Sequence, residues 1–131
     1  MKQLEQARKL LAKAAEDEAL LDAVLAKPEV SDSIYGFHAQ QAAEKLLKAL
    51  LSIHAVRFPK THDLHELLNL LEEAGETLPA ELTRVDELTS FAVEWRYDYF
   101  TAPASFDRAG ARSLIACVRS FVEHQIKPAN S

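Results

Sequence analysis

A single cysteine, Cys117, stands in 131 residues. One thiol closes no internal disulfide and cannot build a cysteine-based zinc site. It falls inside a helical pattern, where a small buried side chain is the expectation. Glycine occurs three times and proline five times, mostly at natural breaks. No Gly-rich phosphate loop, nucleophile elbow or His-Glu-x-x-His is present. Nor are there paired Glu-x-x-His motifs for a di-iron bundle. No apolar run approaches the roughly 20 residues of a membrane span. The start, Met1-Lys2-Gln3-Leu4-Glu5-Gln6, lacks the apolar core of a signal peptide, so a cytoplasmic location without membrane partners is expected. Basic residues are outnumbered, 15 against 20, for a net charge of −5. That excludes the broad basic surface of a general nucleic-acid binder but leaves room for a local basic site.

What is present is helical. The chain is 48% apolar, enough for one core, and its length suggests a single domain over 1–131, frayed from about 127. Tyr35, Ala39, Ala42, Leu46, Ala49, Ile53 and Val56 follow at alternating steps of four and three, which places them on one helix face. Three of the seven are alanines, so a neighbouring helix can approach closely. Ala43, Leu47 and Leu50 widen the face. Gln41, Glu44, Lys45 and Lys48 form a dense polar group beside it.

The spacing predicts an all-α, up-down bundle of four main helices plus one short helix, with mostly antiparallel neighbours. Helix one is expected over about 2–27, with Leu4, Ala7, Leu11, Ala14, Leu21 and Leu25 on its face. Glu18 interrupts that stripe and is expected at the rim, its carboxylate in water. Pro28 marks the end. Helix two runs from Ser31 or Ser33 to Val56. A short helix follows from about His62 to Ala74, with Thr61 as its N-cap, Asp63 in the first turn and Gly75 at its end. Pro79 opens helix four, with Leu82, Val85, Leu88, Ala92, Trp95 and Tyr99 along one face to about Phe100. Helix five spans about 106–126, with Ala111, Leu114, Val118, Phe121 and Gln125 inward. No strand pattern, repeat or low-complexity segment interrupts this reading.

Three groups of residues carry possible chemistry. His54, Arg57, Lys60, His62 and His65 gather around a loop and a helix start. They read as a solvated loop, a phosphate contact, or, through His62 and His65, a weak metal pair. Glu94-Trp95-Arg96-Tyr97-Asp98-Tyr99-Phe100 alternates aromatics with charge. Trp95 and Tyr99 fall on the apolar stripe. Arg96 suits a bidentate clamp on phosphate or carboxylate, or an ion pair with Glu94, Asp98 or an acid of helix one. Arg119 and His124 are five apart and read as a solvated face.

The order Phe37-x-Ala39-x-Gln41-Ala42-Ala43-Glu44-Lys45-x-Leu47-Lys48-Ala49, then Pro59-Lys60-Thr61-His62-Asp63-Leu64, then Arg96-Tyr97, resembles the HEPN family of small prokaryotic helical bundles. The likeness spans about Leu4 to Ile126. It implies a bundle of four or five helices, usually homodimeric. It also implies frequent partnership with a minimal nucleotidyltransferase in toxin–antitoxin or stress-response pairs. Many members are metal-independent ribonucleases, built on an Arg, a spacer of about four to six residues, and a His. Arg96 matches the Arg. Thr101, Ala102 and Pro103 occupy the positions where the His belongs, and the next histidine is His124.

The resemblance therefore implies a binding module with a nucleotide or RNA-phosphate site. Arg96 is its anion clamp, with Tyr97 in the same cleft and Lys45 and His62 at the border. Tyr97 and Tyr99 are candidates for AMP addition by the partner. No cofactor or metal is implied. The alternatives are a ribonuclease toxin using Arg96 with a non-standard base, His38 or His62, or a bundle that binds only protein.

Overall fold

The computed structural model describes residues 2–94 and 106–126, with backbone alone for 92–94. Within them the chain forms α1 (Lys2–Val24), α2 (Asp32–Ile53), α3 (Leu64–Glu73), a 3₁₀ run (Leu82–Leu88), α4 (Thr89–Glu94) and α5 (Arg108–Ile126). The described residues are all-α, with five helices and no strand, packed as a bundle.

Helix α2 is the centre. Tyr35, Ala39, Ala42, Leu46 and Ala49 are fully buried, and so are Ala43, Leu47, Leu50 and Leu51. A helix apolar on most of its circumference is covered by neighbours on most sides, and α1, α3, α4, α5 and the 3₁₀ run all pack on α2. Its small residues set the spacing: a Cβ added at Gly36 would collide with the Phe91 ring of α4.

Contacts at the ends give the directions. Gln3 and Gln6 lie beside Ser52 and Phe58, while Leu21 and Val24 lie beside Val30 and Tyr35, so α1 and α2 are antiparallel. Along α5, Arg108 reaches Val24 and Arg119 reaches Leu11, so α5 is antiparallel to α1. Helix α3 begins near Gln40, through His62, and the chain beyond it returns to His54 through Glu76. It is the short helix that runs with α2 rather than against it.

Several boundaries differ from the sequence expectation. Helix α1 stops at Val24, not at residue 27. Lys27 precedes Pro28, and proline disfavours helical backbone in the residue before it. Leu25, expected on the core face, is 38% exposed. Ser31 caps α2, its side chain accepting from Ile34 N at 3.2 Å. The cap of α3 is Asp63, whose Oδ1 accepts from His65 N at 3.0 Å, and Thr61 sits two residues earlier, accepting from Asp63 N. A charged cap gains from the helix dipole. The orphan Leu64 N–H is satisfied from a distance, donating to Thr89 Oγ1 at 3.1 Å.

Pro79 does not open an α-helix. Leu82, Val85 and Leu88 are buried in a 3₁₀ run. Their steps of three match its three residues per turn, which stacks them on one side. In α5 the buried stripe is Ile115, Val118 and Val122, while Ala111, Leu114 and Phe121 are partly covered and Gln125 is exposed. Cys117, expected to be buried, is exposed beside that stripe. Trp95 and Tyr99, expected in the core, lie outside the described residues.

Two helices end in the same motif. After α3, Gly75 is left-handed at φ 88°. Glu76 N donates to Leu71 O at 2.9 Å and Gly75 N to Glu72 O at 3.0 Å, a Schellman pair. After α2 the same two bonds run from Val56 N to Leu51 O and from Ala55 N to Ser52 O, both 3.0 Å. The left-handed residue there is Ala55 at φ 57°, where an L side chain costs roughly 1–2 kcal/mol. Glycine removes that cost and returns part of it as chain entropy. Ala55→Gly is expected to stabilise the fold by about 0.5–1 kcal/mol and raise the melting temperature by a few degrees. A calorimetric scan that shows no rise would contradict this account of the turn.

Candidate functional site around the central helix

Gln40, Glu44 and Lys48 are spaced by four on α2 and share one side of it. Gln40 is fully buried and Glu44 is 5% exposed. A carboxylate so placed needs partners, and the neighbouring chain supplies them. Glu44 Oε1 accepts from Gln40 Nε2 at 3.0 Å and from His62 Nδ1 at 2.8 Å. Glu44 Oε2 accepts from Lys48 Nζ at 2.8 Å. Gln40 Nε2 also donates to the His62 carbonyl at 2.8 Å, and Gln41 Nε2 to Gln40 Oε1 at 2.7 Å. The loop before α3 is therefore pinned to α2 at His62 by both its backbone and its ring.

Burial alone would push the Glu44 carboxyl up. The hydrogen bonds from Lys48, His62 and Gln40, with the Lys48 charge, outweigh it and hold the group below the usual glutamate range. The His62 ring is half exposed. With Nδ1 on Glu44, its Nε2 is the nitrogen left for a ligand.

A second cluster joins α1 to α2. Asp17 stands between His38 Nδ1 at 3.3 Å and Lys45 Nζ at 2.5 Å. Of the site residues nominated by sequence, Lys45 thus belongs to Asp17 and His62 to Glu44, in separate clusters on the same helix. Arg96, Tyr97 and Tyr99 lie outside the described residues. The loop group is dispersed. His54 Nε2 pairs with Glu76 at 2.8 Å and His65 Nδ1 lies 3.6 Å from Asp86. Arg57 and Lys60 are exposed with no ion pair among the described residues. No group able to hold a metal forms among the described residues.

Two arginine sites were not legible as such. Glu18 is buried rather than hydrated: Oε2 accepts from Arg119 Nε at 2.7 Å, and Oε1 lies 3.5 Å from Arg112 Nη1. Arg119 also donates to the Leu11 carbonyl at 2.8 Å and to Glu123 at 3.0 Å, so it is not a solvated residue; His124 is exposed. Arg112 grips Asp22 through two bonds of 2.6 and 3.3 Å, and that hydrogen bonding holds the Asp22 carboxyl below its ordinary range. Arg108 donates to Asp32 at 2.7 Å and to the carbonyls of Val24, Lys27 and Val30, and it lies over the Tyr35 ring at 5.1 Å. Burial raises the Tyr35 hydroxyl pKa. Only the unusual run of α5 arginines at steps of four and seven, facing acids of α1, hints at these ties in the sequence.

Breaking the Glu44 hub leaves buried donors without an acceptor. Glu44→Ala is expected to cost about 3 kcal/mol. Glu44→Gln, which keeps one acceptor, is expected to cost less. The folded carboxyl is depressed, so its contribution is complete above the unfolded pKa, about 4.3, and is lost as pH falls through the lower folded value. Urea midpoints measured from pH 7 to 3 will show a steeper acid loss for the wild type than for Glu44→Gln; equal slopes would refute the hub.

No curated protein and no solved structure matches this chain. The model of the HEPN domain does, over residues 2–127. It covers all six elements described above, with the pinned loop at His62 and the polar side of α2 inside the matched span. By that coverage the chain belongs to the HEPN domain family.

Proposed function

We propose that this chain is a HEPN-type binding module, the partner of a minimal nucleotidyltransferase in a two-component toxin–antitoxin or stress system. It presents a site for a nucleotide or RNA phosphate around Arg96. The observation that carries the reading is the pairing of family membership over residues 2–127 with Arg96-Tyr97 and no histidine in the following spacer. An Arg without a nearby acid–base group can bind a phosphate but has no evident means to move a ribose proton. Lys45 and His62 border the site, each already held by a carboxylate of the bundle. Tyr97 lines the same cleft, and Tyr97 or Tyr99 is the acceptor if the partner transfers AMP. A homodimer is the working assembly.

One observation favours a second reading, a metal-independent RNA endonuclease. Glu44 fixes His62 through Nδ1, the arrangement by which a carboxylate orients a histidine base. His62→Ala abolishing RNA cleavage, with folding intact, would promote that reading.

The test of the first reading has two arms. Anisotropy with a short labelled RNA at low salt is expected to show binding that falls by roughly 10- to 100-fold in Arg96→Ala, as loss of charge-assisted hydrogen bonds predicts. The salt slope should drop by about 0.7 for the lost phosphate contact. Circular dichroism should stay unchanged. Co-purification from the source cell, with intact mass, is expected to return a nucleotidyltransferase or an AMP adduct on a tyrosine. Unchanged binding in Arg96→Ala would remove Arg96 from the site, and an unmodified chain without that partner would remove the two-component assignment.

A further inference from the structure

A cleft of about 360 Å³ opens where the first turns of α1 meet the end of α2. Its volume lies at the lower end of the roughly 300–1,000 Å³ of small-molecule sites. Gln3 and Gln6 line it from α1, Ser52 and Ala55 from α2, and Arg57 and Phe58 from the chain that follows. Its lining includes none of the residues that the proposed function uses.

The donors and acceptors of this cleft are asymmetric. Arg57 is exposed, donates only, and has no ion pair among the described residues. Ser52 is 3% exposed, and its hydroxyl hydrogen is committed to the Lys48 carbonyl at 2.9 Å. It therefore offers only lone pairs. The outer end wants an anion and the deep end wants a donor. Between them stand the Phe58 ring and the Ala55 methyl. Lys48 lies 5.5 Å from the Phe58 ring centre, its charge matched by Glu44, so Arg57 is the cation of this wall. Gln3 and Gln6 carry amides that serve either sense.

The surroundings favour an anion despite the net charge. Between Thr61 and Glu94 nine acidic residues stand against Arg84 alone, so the acidity is concentrated in α3 and the 3₁₀ run. Lys2, Arg8, Lys9, Arg57 and Lys60 lie in the segments that form or flank the cleft, against Glu5 and against Glu76, which pairs with His54. The end of α2 does not oppose an anion strongly, because the Leu50, Leu51 and Ser52 carbonyls already accept from His54, Val56 and Ala55. The left-handed Ala55 turn, where glycine would be easier, puts a methyl group on the cleft wall.

We infer that this cleft binds a small organic anion with a planar ring body, its acid group on Arg57, its ring along Phe58, and an N–H or O–H donor reaching Ser52. Phosphate and carboxylate both satisfy Arg57, so the probes separate them. Adenosine 5′-monophosphate, adenosine, inorganic phosphate and 4-aminobenzoate are titrated into isotope-labelled protein, and amide shifts are followed. The monophosphate or the aminobenzoate is expected to shift Gln3, Gln6, Ser52, Ala55, Arg57 and Phe58 together, and whichever binds tighter names the acid group. Adenosine and inorganic phosphate, each lacking one half of the ligand, are expected to bind at least tenfold more weakly. Arg57→Ala is expected to weaken the tighter probe at least tenfold while the spectrum elsewhere stays folded. Arg96→Ala is expected to leave these shifts in place, which separates this cleft from the site of the proposed function. Absence of shifts in the cleft with every probe, or equal affinity in Arg57→Ala, would overturn the assignment.

Discussion

Everything in this bundle is arranged around a helix that has little water beside it. Helix α2 is covered by α1, α3, α4, α5 and the 3₁₀ run, yet it carries Gln40, Glu44, Lys45 and Lys48. A polar group in such a position is tolerated only if it is fully hydrogen-bonded. Glu44 meets that demand with three strong donors, and the last of them, His62, comes from the next segment. The α2–α3 loop is thus fixed by a solvation requirement as much as by packing. The same loop sets the start of α3, whose first free N–H reaches Thr89 and so fixes the start of α4. One buried carboxylate is in this way linked to the placement of three successive elements.

Helix α5 is held differently. Its buried stripe is narrow, with Ile115, Val118 and Val122 as its fully buried residues. Arginine ties add the specificity that so thin a seam lacks. Arg112 and Arg119 share Glu18, and Arg108 closes the α1–α2 connection by taking up three of its carbonyls. Such a clamp stabilises less than its number of bonds suggests, because each partly buried charge gives up hydration. It does fix the rotation of α5. The alternative stripe through Leu114, Phe121 and Gln125 is nearly as apolar, but Arg112 and Arg119 reach the acids of α1 in the rotation observed.

The legibility of the sequence follows from this division. Helix α2 was readable because its periodicity is local and most of its faces are apolar. The helix count and Gly75 were readable for the same reason, since each rests on residues within one or two turns. Glu18 was misread as a rim residue because its partners lie about a hundred positions away. Arg119 was misread as solvated for the mirror reason. The 3₁₀ run was hidden although its steps of three were visible, since the same steps also fit an α-helix. The turn at Ala55 was hidden because alanine rarely takes a glycine conformation. In the site, Lys45 and His62 were found as candidates, but the carboxylates that hold them were not, as Asp17 and Glu44 gain their meaning only from tertiary contact.

Those carboxylates also bear on chemistry. A histidine becomes a useful base when one nitrogen is fixed and the other is open. His62 and His38 both have Nδ1 on an acid, and both therefore satisfy half of that condition. The other half is a phosphate held next to the open nitrogen. On the proposed reading Arg96 takes that task, and no histidine stands in the spacer that follows it. On that reading binding and cleavage would differ by one relation, whether a histidine of another part of the bundle meets the phosphate that Arg96 holds. The buried Glu44 is consistent with either outcome, because its solvation demands His62 whether or not that ring ever meets a substrate.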